Sequence, residues 1–183
     1  MTAVKPSSAS ATRCMCVSIA GSWQRPDARA GLYAAAMGGQ GYGLGDPDGE
    51  LLQFGDVTIL VKITAAASGG AFSLFEERPP MVDTPLHVHA LDDEVFFVLE
   101  GEHVFRVGDV DIPAGPGGLV FAPRGVPHAQ RRVVPGEGKL LVLTTPGGLD
   151  GFFRDLAAAA QAGTLGPETR AAISETYGIT WLG

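Results

Sequence analysis

Long apolar runs, cysteine and charge are all scarce in this 183-residue chain. No apolar stretch reaches the roughly 18–20 residues that a membrane-spanning helix needs, so no membrane partner is expected. The only cysteines, Cys14 and Cys16, stand one residue apart. That spacing strains a disulfide, and thiolate metal sites draw on more than two ligands, so both read as reduced thiols in an N-terminal strand or arm. The opening "MTAVKPSSASATRCMCVSIAG" carries two basic residues and an apolar stretch too short and broken for a signal peptide, which points to a cytoplasmic protein. Charged residues make up 18% of the chain, and acids exceed bases to a net −7. Phosphate backbones and anionic headgroups repel such a surface, which argues against nucleic acid or an anionic membrane as the main partner and favours a small molecule or another protein.

At 45% hydrophobic residues, the length suits one ordinary domain with one core. The 26 glycines and 13 prolines follow no period, so they read as the turn residues of a fold with many short strands. Residues 1–50, rich in Ala, Gly, Ser and Pro, form an N-terminal arm. From Asp56 onward, "DVTILVKIT", "GAFSLFEE", "DEVFFVLE", "EHVFRVGD", "GGLVFAP", "HAQRRVV" and "GKLLVLTT" are seven strand-like runs separated by glycine, proline or acidic turns. They predict an all-β sandwich or barrel over residues 51–147. Residues 148–183 turn helical: Phe152, Phe153, Leu156, Ala157 and Ala160 recur at helical spacing with Gly163 as a stop. A second helix is expected from Pro167 to Tyr177 with Gly178 as its cap, and "ITWLG" packs on an apolar surface.

All four histidines lie between residues 87 and 128, inside the strand-rich region. His87 and His89 are two apart, so on an extended backbone both leave the same face, close enough to share one ion. Five residues on, Glu94 can return a carboxylate toward them, sharing its face with Phe96 and Val98, while Asp93 faces away and Asp92 reads as a loop residue. A charge at the edge of an apolar interior is costly alone, and a cation offsets that cost. The third imidazole is His128 or His103. With a hairpin turn at Glu100 and Gly101, His103 pairs near Leu99, about 13–16 Å along the strand from Glu94 at ~3.3 Å per residue. That favours His128 and makes His103 an inward packing residue beside Phe105.

Together these residues resemble the cupin family. His87, His89, Glu94 and Gly101 fit its first motif, although Met81 stands where the leading glycine belongs. Gly117, Pro123, Gly125 and His128 fit the second, with Arg132 at the position of a common Asn. The resemblance covers residues 56–146, and the tail is similar to that of small single-domain cupins related to quercetin dioxygenases. It implies a cupin jelly-roll β-barrel with an N-terminal arm and C-terminal helices, paired as a homodimer through the arm. It also implies one divalent transition metal ion (Fe, Mn, Ni, Co, Zn or Cu) on His87, His89, Glu94 and His128.

Three neutral imidazoles and one carboxylate leave a divalent ion with a charge of about +1, which favours anionic oxygen ligands such as enolates, flavonolates, catecholates and carboxylates. Phe96, Val98, Phe105 and Phe121 are expected to make an apolar pocket for a flat ring. Gln130 and Arg132 share the His128 side of their strand, as a hydrogen-bond partner and a substrate contact respectively. Glu94 is the expected catalytic base, and O2-dependent oxidation of an enolic or aromatic substrate is the leading reaction. A non-oxidative isomerase, cyclase or lyase and a non-enzymatic binding protein are the alternatives.

Overall fold

The computed structural model describes residues 41–78, 83–133 and 138–182. Within them the chain runs β1 (Glu50–Phe54), β2 (Val57–Ile63), β3 (Ser73–Glu77), β4 (His87–His89), β5 (Asp93–Glu100), β6 (His103–Val107), β7 (Val110–Ala114), β8 (Leu119–Ala122), β9 (His128–Arg132) and β10 (Lys139–Thr145). Helices α1 (Leu149–Gln161) and α2 (Pro167–Thr176) follow, and β11 (Ile179–Trp181) ends the described chain. All seven strand-like runs are strands. The arm expected over residues 1–50, with Cys14 and Cys16, falls almost entirely outside the described residues.

The strands form two antiparallel sheets, one ordered β1-β2-β3-β10-β5-β8 and the other β11-β4-β9-β6-β7. Alternation sets which side chains fill the space between them. Along β10, Leu140 and Val142 are buried, and along β5 so are Phe96 and Val98. Phe105 of β6 meets Phe96 from the opposite sheet, with ring centroids 5.0 Å apart. This is the jelly-roll expected from the sequence, with strands that the alternation does not reveal. β7 contains Pro113, which argues against a central strand but is tolerated here because β7 is an edge.

One expectation is overturned. β5 and β6 are not a hairpin: Gly101, at φ +82°, turns the chain from one sheet into the other. His103 therefore lies opposite Arg132 of β9 and Ala114 of β7, not beside Leu99. A two-residue turn between alternating apolar runs serves a hairpin and a corner equally well, and only the partner strands decide.

The C-terminal elements close the barrel over the site. Leu149, Phe152 and Leu156 form the buried stripe of α1, and Phe153 packs edge-on against Phe75 and stacks on Phe54. The helix has no side-chain N-cap. Instead, buried Asp150 accepts hydrogen bonds from Ser73 Oγ at 2.5 Å and the Ala65 amide at 3.2 Å, and pairs with Arg154, which also grips Glu50. These contacts tie α1 to β1 and β3. Gly178 ends α2 at φ +67°, where a Cβ would come within 2.8 Å of Leu91. That turn starts β11, which pairs Ile179 with His89 and Trp181 with His87.

Candidate metal centre

β4, β5 and β9 bring the four expected ligands together. His87 lies directly opposite His128 in the β4–β9 register, which sets their rings 4.4 Å apart. His89 follows two residues later on the same face, with its ring 5.1 Å from that of His128. β5, from the other sheet, delivers Glu94, whose Oε2 is 3.1 Å from His128 Nε2 and 4.0 Å from His89 Nε2. All four residues are buried, and one potential ligand atom from each lies within 4.8 Å of every other. An ion with bonds of about 2.0–2.2 Å holds opposite ligand atoms about 4.0–4.4 Å apart, so the four need draw in only slightly.

Hydrogen bonds behind the rings decide which nitrogens face the centre. His87 Nδ1 donates to the Pro85 carbonyl at 2.8 Å, and His128 Nδ1 to the Val126 carbonyl at 3.0 Å. His89 Nδ1 donates to Asp92 Oδ2 at 2.6 Å. Each acceptor fixes the proton on Nδ1 and leaves the Nε2 lone pair free for an ion. Asp92 thus corrects the sequence reading: it is buried behind His89 and is not a solubilising loop acid. Asp93 faces outward, held by Arg124 at 2.9–3.0 Å, which pulls its pKa down to about 2.

The titrations follow from these contacts. Burial, reinforced by the His128 charge, lowers the His87 pKa to about 4. Burial also disfavours charge on His89, but the Asp92 hydrogen bond and the charges of Glu94 and Asp92 outweigh it and leave His89 raised. Burial would raise Glu94, yet the His128 hydrogen bond and the surrounding imidazoles hold it below the usual range. Of His87 and His89, then, His89 takes the first proton on acidification of the metal-free protein. Asp92→Asn removes the carboxylate that makes His89 a strong donor, and isothermal titration with zinc is expected to show affinity weakened about 10–100-fold.

A cavity of about 450 Å³ opens from the four residues, within the usual size of a small-molecule site. Its wall includes Phe54, Ile59, Phe96, Phe152, Phe153 and Trp181. Of the expected pocket residues, Phe96 and Gln130 line it. Phe121 does not: Val95 is its partner and Phe96 pairs with Val120, so Phe121 faces outward and is 51% exposed. Val98 is buried but lies four residues past Glu94, about 13 Å along the strand at ~3.3 Å per residue. Phe105 packs behind Phe96. Arg132 is equally far from His128, buried beside His103, with its Nε and Nη1 lacking a hydrogen-bond partner among the described residues.

The cavity also contains a residue that sequence reasoning missed. Glu77 ends β3 and lines the cavity, where Gln130 Nε2 donates to its Oε2 at 2.5 Å. Burial raises its pKa to about 7; the Gln130 hydrogen bond opposes that shift and Glu94 adds to it. The signal was present: Glu77 is two residues past Phe75, on the core-facing side of "SLFEE".

A two-sheet barrel with three histidines and one glutamate at the end of an apolar cavity defines a cupin-type site. The cupin domain family model matches residues 74–144, so this stretch of the chain is a cupin domain. KdgF from Halomonas sp. superposes with a TM-score of 0.53 at 13% identity, covering 61% of this chain and 99% of that one. TT1209 from Thermus thermophilus is 37% identical over 42% of this chain and 74% of that one, with a TM-score of 0.37. An RmlC-like cupin from Shewanella frigidimarina is 19% identical over 61% of this chain and 96% of that one, with a TM-score of 0.49. No curated protein matches the chain. Among the described residues no helix is long and apolar enough to cross a membrane.

Proposed function

We propose that the protein is a metal-dependent cupin enzyme, a dioxygenase acting on an enolic or aromatic, flavonol- or polyketide-like small molecule. The observation that carries this reading is the juxtaposition of the three-imidazole, one-carboxylate cluster with an aromatic-lined cavity. A bound divalent transition metal would supply Lewis-acid chemistry toward an anionic oxygen ligand and O2. His87, His89, Glu94 and His128 are the residues that hold it. Phe96, Phe152 and Phe153 exclude water and give a flat ring its contact surface. Glu94 Oε2 faces the three imidazoles and is placed to take a proton from the substrate. In this reading the protein acts in the cytoplasm as a homodimer. Its net charge of −7 supports a small-molecule partner over nucleic acid or membrane.

One observation favours a second reading, a non-oxidative isomerase, cyclase or lyase. Glu77, with its pKa near 7, and Glu94 put two carboxyl groups in one cavity, which suits moving a proton between two positions of a substrate without O2. An oxygen electrode separates the two. With the protein loaded in turn with iron, manganese, nickel, cobalt, copper and zinc, the dioxygenase reading predicts substrate-dependent O2 uptake on a flavonol and polyphenol panel. Product formed at the same rate under nitrogen, without uptake in air, replaces it with the second reading.

A further inference from the structure

Outside the ion-holding cluster, two buried polar atoms of cavity-lining residues lack a hydrogen-bond partner among the described residues. Gln130 is only 5% exposed, and its Oε1 has no hydrogen-bond partner. With Glu77 ionised, above about pH 7, the amide does not turn over: a carboxylate only accepts, so Glu77 draws Nε2 toward itself and leaves Oε1 directed away. The Thr84 hydroxyl is also buried and unpartnered, and its residue is fixed beside Gln130 by an amide-to-carbonyl hydrogen bond of 2.9 Å. Glu77, Gln130 and Thr84 all line the cavity. They lie outside the cluster of His87, His89, Glu94 and His128, and they come from different parts of the fold: Glu77 from β3 in one sheet, Gln130 from β9 in the other, Thr84 from the segment before β4.

An acceptor left open in a largely apolar chamber forfeits its hydrogen bond to water, so a native structure seldom leaves two such groups side by side without something to fill them. What fills them is set by their chemistry. Gln130 Oε1 and an ionised Glu77 only accept, and Thr84 Oγ can do either, so the missing group is a hydrogen donor. A ligand that also suits the aromatic wall carries that donor as a hydroxyl on a flat ring. We propose that Glu77, Gln130 and Thr84 form a hydroxyl-recognition pole, which selects hydroxylated aromatic or enolic molecules over their unsubstituted counterparts. This rests on reading the cavity as the substrate site, and deepens it by naming the feature that discriminates among substrates. The three are positioning residues, separate from the four ion-holding side chains.

Equilibrium dialysis of the metal-free protein at about pH 8 against luteolin, a hydroxylated flavone, and against unsubstituted flavone tests the pole without any catalysed reaction. The wild type is expected to bind luteolin more tightly than flavone. Glu77→Leu and Gln130→Leu should each weaken luteolin roughly tenfold or more, the scale of a hydrogen bond to a buried polar group, and leave flavone unchanged. Glu77→Gln keeps a hydrogen-bonding end and recovers most of the loss, and Thr84→Val shows a smaller loss of the same kind. Equal weakening of both probes, no weakening of either, or no luteolin binding by the wild type overturns the proposal. Zinc content measured on the same variants stays at the wild-type level. Failure of the metal reading would instead appear as absent zinc in the wild type, with the luteolin preference intact.

Discussion

His87→Ala and His128→Ala are each expected to abolish stoichiometric metal binding, whereas His103→Ala retains most of the metal. Removing either ligand histidine leaves two imidazoles and one carboxylate and opens the strand pair that sets the geometry, since His87 and His128 are directly opposed with rings 4.4 Å apart. His103 is no less buried, at 1% exposure, and makes a fair control for loss of a buried imidazole. Its place differs: it sits opposite Arg132, four residues along β9 from His128, which is about 13 Å at ~3.3 Å per residue. Burial lowers its pKa, as expected for a neutral packing imidazole. Elemental analysis of the three purified variants, normalised to folded protein by circular dichroism, reads the result. Equal loss from all three contradicts the ligand assignment.

Glu77→Gln is expected to change how stability depends on pH by about 3 kcal/mol. The carboxyl has an ordinary pKa of 4.5 and is raised by burial to about 7 in the folded protein, and each pH unit of that gap is worth about 1.4 kcal/mol. Between the two values the folded chain holds a proton that the unfolded chain has released. Glu77 therefore contributes stability that is fully present below pH 4.5 and is lost as pH rises through about 7. Glutamine does not titrate, so the variant lacks this loss. Urea unfolding of the metal-free proteins at about pH 4, 6 and 8 should show Glu77→Gln gaining on the wild type as pH rises, with most of the gain complete by about pH 8. Parallel stability curves would place the Glu77 carboxyl in contact with bulk water and remove the grounds for treating it as a cavity group.

The ligand cluster was legible because its geometry is local. His87 and His89 share a face by the two-residue period of a strand, and Glu94 shares a face with Phe96 in the next strand. Strand runs were legible for the same reason. What escaped was set by partners distant in sequence. The turn at Gly101 passes between sheets, Phe121 faces outward because its register with β5 places it opposite Val95, and Pro113 sits in a strand that survives because it is an edge. Asp92 looks like any acid in a short loop, and only the return of the chain beneath His89 makes it a buried partner. Glu77 was masked by composition, since a glutamate at a strand end is ordinarily solvated.

The C-terminal tail takes part in the site as well as in the fold. The matched cupin region ends at residue 144, yet α1, α2 and β11 supply Phe152, Phe153, Arg170 and Trp181 to the cavity wall. Arg170 stands at this wall as an exposed cation. β11 also pairs with the strand that carries His87 and His89, so the elements that shape the cavity also support the candidate ligands.

The most direct test of the central claim, that His87, His89, Glu94 and His128 hold one divalent ion, is metal content after dialysis at two pH values. Protein loaded with zinc and dialysed at about pH 8 should retain about one ion per chain, and the same protein dialysed at about pH 4 should retain almost none, because protonated imidazoles cannot bind. Full zinc content at about pH 4, or none at about pH 8, contradicts it.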